Sequence, residues 1–203
     1  GLGGVILLTQ SRGPLLALLL CMLLGWVLAR RWWGLLTLLA LGLGYGVLVS
    51  QGHLELPGFF QRHGWDSYRL EIWQQVWHDI QAAPLWGHGS QTPLAYPVSS
   101  GRIEPHPHNL FLTAWVLGGA IELLLLSAWL GLALWQGERL RQRTGDAGLT
   151  LQLSFAVICG LTDGAGLVYH PMPFWLYVWL PVTWALAVAW GESDSRLSRV
   201  GAR

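Results

Sequence analysis

The sequence predicts an all-α integral membrane protein, on three observations. The chain is 53% hydrophobic and 11% charged, whereas a soluble domain carries roughly 25% charged residues. Its apolar residues gather into runs on the scale of the roughly 20 residues that a helix needs to cross a bilayer. Its basic residues, all arginine, alternate regularly with those runs. Arg30 and Arg31, then Arg139, Arg141 and Arg143, then Arg196, Arg199 and Arg203 form three clusters. The positive-inside rule assigns these clusters to the cytoplasm. No basic stripe exists outside them, so nucleic acid is not an expected partner. Cys21 and Cys159 lie inside apolar runs and read as small buried hydrophobes, with no disulfide or metal role.

Residues 1–10 are apolar but too few to span, and they lack the basic start and cleavage pattern of a signal peptide. They read as the outer end of a truncated helix, and the chain as the C-terminal portion of a larger protein. The break Thr9-Gln10-Ser11-Arg12-Gly13-Pro14 follows, with Pro14 well tolerated at the start of the next helix. A run from about 14 to 29 descends to Arg30-Arg31. A run from about 32 to 50 ascends again and carries Trp32 and Trp33 at its start, where aromatic belts belong. Residues 51–107 are polar, rich in Pro, Gly and His, and read as an external loop. A third run, about 109–135, descends to the basic stretch at 137–147. A fourth, about 149–168, ascends to the turn Tyr169-His170-Pro171-Met172-Pro173. A fifth, about 174–190, descends to the basic tail at 191–203. The expected organisation is thus about five transmembrane helices plus a truncated first one.

The external loop contains a helix of its own, at about 67–82. Leu70, Trp73, Val76, Trp77 and Ile80 fall at spacings of three and four and mark one face, with Gln74, Gln75, His78 and Gln81 on the other. Pro84 and Gly87 stop it. Such a short stripe beside polar loop predicts a helix at the membrane surface. Arg69 points along this apolar stripe, between the directions of Val76 and Ile80. It either snorkels at the helix start or faces an anionic ligand held between this helix and the bundle.

Arg12, Arg62, Arg69 and Arg102 stand outside, against the topology rule, together with all seven histidines. The planar, permanently charged fork of arginine suits a phosphate-bearing substrate. Acids outnumber arginines in the loop, so any attraction for an anion is local. The segment Glu104-Pro105-His106-Pro107-His108-Asn109 opens the third run. Pro107 restricts His106 to an extended shape and turns it outward along the loop, while His108 faces the bundle. His108 or Asn109 can cap the helix that follows, whose N-terminal N–H groups also suit anions. A histidine there can act as a general base near neutral pH. His-x-His also suggests a metal, but no convincing third and fourth ligands accompany it. Arg102 either reaches a second phosphate or the acceptor, or is solvated. Glu122 and Asp163 are carboxylates inside apolar runs, and their roles stay open.

Three stretches together resemble one family. They are Ser11-Arg12-Gly13 after an apolar run, then Arg69 with Trp73 and Pro84…Gly87-x-Gly89, then His108-Asn109-x-Phe111-Leu112 opening a membrane helix. Over roughly residues 1–135 the chain is similar to the O-antigen ligase and O-antigen polymerase (WaaL and Wzy) superfamily. The resemblance implies a GT-C-like, metal-independent glycosyltransferase of the bacterial inner membrane, multi-pass, with its site on the periplasmic side and no cofactor. It implies an undecaprenyl-diphosphate-linked glycan donor and a glycolipid, glycan or protein acceptor, with membrane lipids around them. Carried over by motif, Arg12 and Arg69 hold the donor diphosphate and His108 is the catalytic histidine. His106 and Arg102 are weaker candidates. Ligation to lipid A-core, polymerisation of repeat units and transfer to a protein hydroxyl share these motifs. A transporter or flippase for anionic lipids would also use external arginines and buried carboxylates, but it more often shows internal repeats and broken helices near the midplane.

The topology has a direct check. A cysteine placed at Ser99 is expected to react with a membrane-impermeant thiol reagent in intact cells. Reaction only after lysis would reverse the orientation.

Overall fold

The structure is a computed structural model that describes residues 12–30, 32–51, 68–164 and 178–188. The expected truncated helix at 1–10, the first part of the external loop, the turn at 169–173 and the basic tail lie outside the described residues. Six helices and a two-stranded hairpin make up the described elements. In chain order they are α1 (Arg12–Leu28), α2 (Trp32–Ser50), α3 (Arg69–Ala82), β1 (Tyr96–Pro97), β2 (Ile103–Glu104), α4 (Leu110–Thr144), α5 (Gly148–Asp163) and α6 (Val178–Val188). Each of the five apolar runs contains a helix, and the loop helix falls where its periodicity put it. The all-α expectation needs one amendment. Residues 96–104 form a hairpin, with Tyr96 opposite Glu104 and Pro97 opposite Ile103. Gly101, at φ +80°, makes its turn.

α4 is long and apolar enough to cross a bilayer, and α1, α5 and α6 carry shorter apolar stretches. These helices are consistent with a membrane protein. At roughly 1.5 Å per residue α4 is about 50 Å long, well beyond the ~30 Å hydrocarbon core. The helix therefore runs on through the expected inner segment, where Arg141 grips Glu138 through two hydrogen bonds of 2.6 and 2.7 Å. Gly145, in the left-handed region, ends it, and its N–H donates to the Arg141 carbonyl at 2.8 Å.

α5 packs between α1 and α4. On α1, Gly13, Ala17 and Cys21 are buried at four-residue spacing, and Gly25 continues the row. A Cβ at Gly25 would stand 3.3 Å from Leu151. Small residues in such a row let two helix backbones approach closely. Leu16, Leu19 and Leu20 stay on the outside. On α5 the matching row is Leu149, Leu153, Ala156 and Cys159. α6 adds Val178, Val182 and Ala185 to the same core, with the Trp179 ring tilted against that of Trp129. α2 leans on α1 where the Trp26 ring lies against Gly34, and Leu36, Leu39, Leu41 and Leu43 face outward.

The break inside α4 positions everything above it. At Gly119 the backbone leaves helical geometry, with φ 69° and ψ −167°. The groups released there are taken up by residues 84–89. His88 N–H donates to the Val116 carbonyl and Gly89 N–H to the Leu117 carbonyl, both at 2.8 Å, while Ala120 N–H donates to the Pro84 carbonyl at 2.9 Å. Trp115 Nε1 donates to the same Pro84 carbonyl at 3.2 Å. The two backbones touch where only glycine fits. A Cβ on Gly87 would meet the Leu117 carbonyl oxygen, and one on Gly119 would meet that of Leu85. Both glycines have positive φ. Pro84…Gly87-x-Gly89, read from sequence as a helix stop, is thus also the filler of a gap in another helix.

Gly119→Ala is expected to destabilise the protein by more than about 2 kcal/mol, since it combines a forbidden conformation with a backbone collision. Gly101→Ala has positive φ but open space around it and should cost only about 1 kcal/mol. Thermal unfolding of the two variants in detergent micelles makes the comparison. Equal losses would show that the close approach at Gly119 contributes nothing.

Candidate functional site

The N-terminal end of α4 collects the candidate residues, and α3 organises them. The buried side of α3 is Ile72, Val76 and Ile80, packed against Tyr96, Val98 and Val116. Leu70 and Trp77, expected in the buried stripe, are exposed instead. The reason is that Ile72 shifts the apolar centre by part of a turn, and that Trp77 sets its ring edge-on against Trp115 rather than beneath the helix. Trp73, on the predicted apolar face, has a polar partner as well. Its Nε1 donates to the Pro107 carbonyl at 2.9 Å, so it ties the histidine segment to α3.

Two further ties hold the hairpin. The Glu71 carboxylate accepts from Ser99 N–H and Ser99 Oγ, both at 2.8 Å. Gln75 Nε2 donates to the Pro97 carbonyl at 2.9 Å. Tyr96 is buried under the hairpin. Burial first, and the Asp79 carboxylate second, hold its phenol well above the ordinary tyrosine range, so it stays neutral.

The hairpin delivers Arg102 and Glu104, two residues apart and so on one side of the strand. Arg102 lies 3.1 Å from one Glu104 oxygen, and its guanidinium sits 5.9 Å from the Tyr68 ring centre. The other Glu104 oxygen is 3.5 Å from His108 Nε2. The expected separation of the two histidines does not occur. Their rings meet edge to face with centres 4.1 Å apart, and His108 N–H approaches His106 Nδ1 at 3.3 Å. The cause is local. His108 has φ 54°, and this left-handed residue folds the chain back so that its ring returns beside His106. Histidine is one of the few non-glycine residues enriched in that region.

Asn109 is the helix cap. Its Oδ1 accepts from Phe111 N–H at 2.9 Å and Leu112 N–H at 3.1 Å. Its Nδ2 donates to the Leu161 carbonyl of α5 at 3.1 Å. One buried amide therefore starts α4 and fastens it to the end of α5.

Arg69 begins α3, half-buried, one turn from Trp73 on the same face. Arg12 is placed by its backbone, as the first residue of α1. Cys21 Sγ meets the Leu151 carbonyl at 3.6 Å. Arg12 lies nine residues before Cys21 on α1, and Leu161 lies ten residues beyond Leu151 on α5. Glu122 folds its carboxylate against Gly118, next to the break. Asp163 is the last residue of α5. Among the described residues no three His, Cys, Asp or Glu side chains gather as a metal cluster.

Sequence reading missed three participants: Glu104 as a partner of His108, Asn109 as a bridge, and the Gly118-Gly119 break. The spacing of Glu104 and His108, and a Gly-Gly pair inside an apolar run, were the available signals. Asn109→Ala is expected to lower stability by about 1–2 kcal/mol through the lost cap. Asn109→Ser, which keeps the cap and drops the link to Leu161, should fall between Ala and wild type in the same thermal measurement.

Comparison with known proteins gives a consistent result. The O-antigen ligase family model (Wzy_C) matches residues 1–127. A Pseudomonas aeruginosa protein named O-antigen ligase is 32% identical over 201 residues, covering 98% of this chain and 48% of the relative. The chain thus spans about half the length of that relative. No solved structure matches. The family match covers well over half of the sequence, including Arg12, Arg69, Glu104, His106, His108 and Asn109, and on that ground the chain belongs to the O-antigen ligase family.

Proposed function

We propose that this chain carries the donor-binding and acceptor-activating part of a metal-independent glycan transferase of GT-C type, acting at the periplasmic face of a bacterial inner membrane. Five helices cross the bilayer, and the segment from about 51 to 107 lies outside. The donor is a glycan on undecaprenyl diphosphate. The acceptor is a hydroxyl of lipid A-core, as in ligation; a growing glycan or a protein would use the same geometry.

One observation carries this reading most directly. His108 stands where α4 begins, Asn109 fastens that point to the end of α5, and α1, which Arg12 opens, packs against the same α5. Arg69 approaches from α3, which Trp73 ties to the residue beside His108. In the reaction the acceptor oxygen attacks the anomeric carbon of the donor sugar. The bond from that carbon to the diphosphate oxygen breaks, and the lipid diphosphate leaves with the electron pair. The acceptor's proton passes to His108. Arg12 and Arg69 offset the charge developing on the leaving group. A neighbouring segment fills the break in α4, which weighs against the transporter reading, where unwound backbone coordinates the substrate or ion.

In the complete protein, transfer from a lipid-linked donor should be abolished in Arg12→Ala and Arg69→Ala at equal membrane levels. Lys should rescue little, because a point charge does not reproduce a bidentate phosphate contact. His108→Gly isolates the ring, since φ 54° suits glycine and stability should change by less than about 1 kcal/mol. Turnover should fall by about 10²–10⁴. Wild-type transfer by any of these variants removes that residue from the site. Offering lipid A-core, glycan and protein acceptors in parallel separates the three transfer reactions.

A further inference from the structure

The reading of His108 as the base leaves open what orients its ring, and we propose that Glu104 is its positioning residue, a carboxylate held in place by Arg102. The proposal rests on that reading of His108. Glu104 divides its two oxygens between two partners. One is 3.1 Å from Arg102, and the other is 3.5 Å from His108 Nε2. Its side chain is only 18% exposed, against 59% for Arg102. The Arg102 contact fixes one oxygen and so the plane of the carboxylate.

The framework around the pair is independently anchored. Register places Glu104 opposite the buried Tyr96. The hairpin is pinned to α3 through Glu71 and Gln75, and the His108 segment is pinned to the same helix through Trp73. One short helix thus sets the positions of both carboxylate and imidazole. An N–H on His108 Nε2 that donates to Glu104 fixes the ring's rotation and which nitrogen carries the proton. When the acceptor's proton arrives, the ring becomes a cation beside an anion that does not itself take the proton. The nearby charge favours that state.

Glu104 from the hairpin and His106 from the helix mouth meet the His108 ring, while Glu71 of α3 is committed to Ser99.

Glu104→Gln keeps the size of the side chain and removes its charge. In that variant kcat should drop by roughly tenfold or more, with the donor KM little changed. Glu104→Asp keeps the charge and should recover part of kcat. A loss confined to KM, or an Asp variant no better than Gln, overturns the role of Glu104. If His108→Gly keeps full transfer, the base reading itself fails. If His108→Gly is inactive and Glu104→Gln matches wild type in rate, the base stands and only the positioning role falls.

Discussion

The structure depends on an exchange of backbone hydrogen bonds between two segments far apart in sequence. α4 gives up its own ladder at Gly119, and residues 84–89 take over the orphaned groups. In an apolar surrounding an unsatisfied peptide group costs several kcal/mol, so neither segment is stable in this shape without the other. The exchange also has to be close. Gly87 and Gly119 each present bare backbone to the partner's backbone, and any side chain at either point would push the segments apart.

Everything at the outer end hangs from that joint. Residues 84–89 continue directly from α3, so docking them at the break fixes α3 beside the upper turns of α4. α3 then orients the hairpin through Glu71 and Gln75 and the histidine segment through Trp73. From below, Asn109 adds the fastening to α5, and α5 in turn locates α1 through a row of small residues. The hairpin, the start of α3 and the histidine segment thereby meet at the start of α4, over a small apolar cluster. Polar contacts of specified length do the positioning, which is the usual requirement for a site that must place charge accurately.

Much of this arrangement was legible in the sequence. Apolar runs bounded by arginine clusters gave the helices, because lipid and charge impose a strong one-dimensional pattern. The loop helix followed from spacing alone. What escaped was two-body information. Nothing in Pro84-Leu85-Trp86-Gly87 says that it will lie against Gly119, because the match is between backbone shapes and not side-chain types. The burial of Ile72 in place of Trp77 has the same origin, since a helix contacted by a hairpin on one flank turns its centre toward that flank. The separation expected of His106 and His108 failed on a single dihedral, the left-handed φ of His108, which residue patterns do not encode. Glu104 was visible as an acid but not as a partner, because the pairing needs that fold-back.

The joint between Pro84 and Trp115 closes over thirty-one residues, and this has a consequence for biogenesis. Residues 84–89 leave the ribosome before the helix they complete. On the proposed topology they already wait on the far side of the membrane when α4 is inserted. The interruption in α4 is therefore capped as it emerges, and an exposed gap never has to linger in the bilayer. Reversing that order, for instance by circular permutation that moves α3 behind α4, would leave a helix with an unfilled notch during synthesis. Such a chain would be a substrate for membrane quality control even though its finished form contained every contact described above.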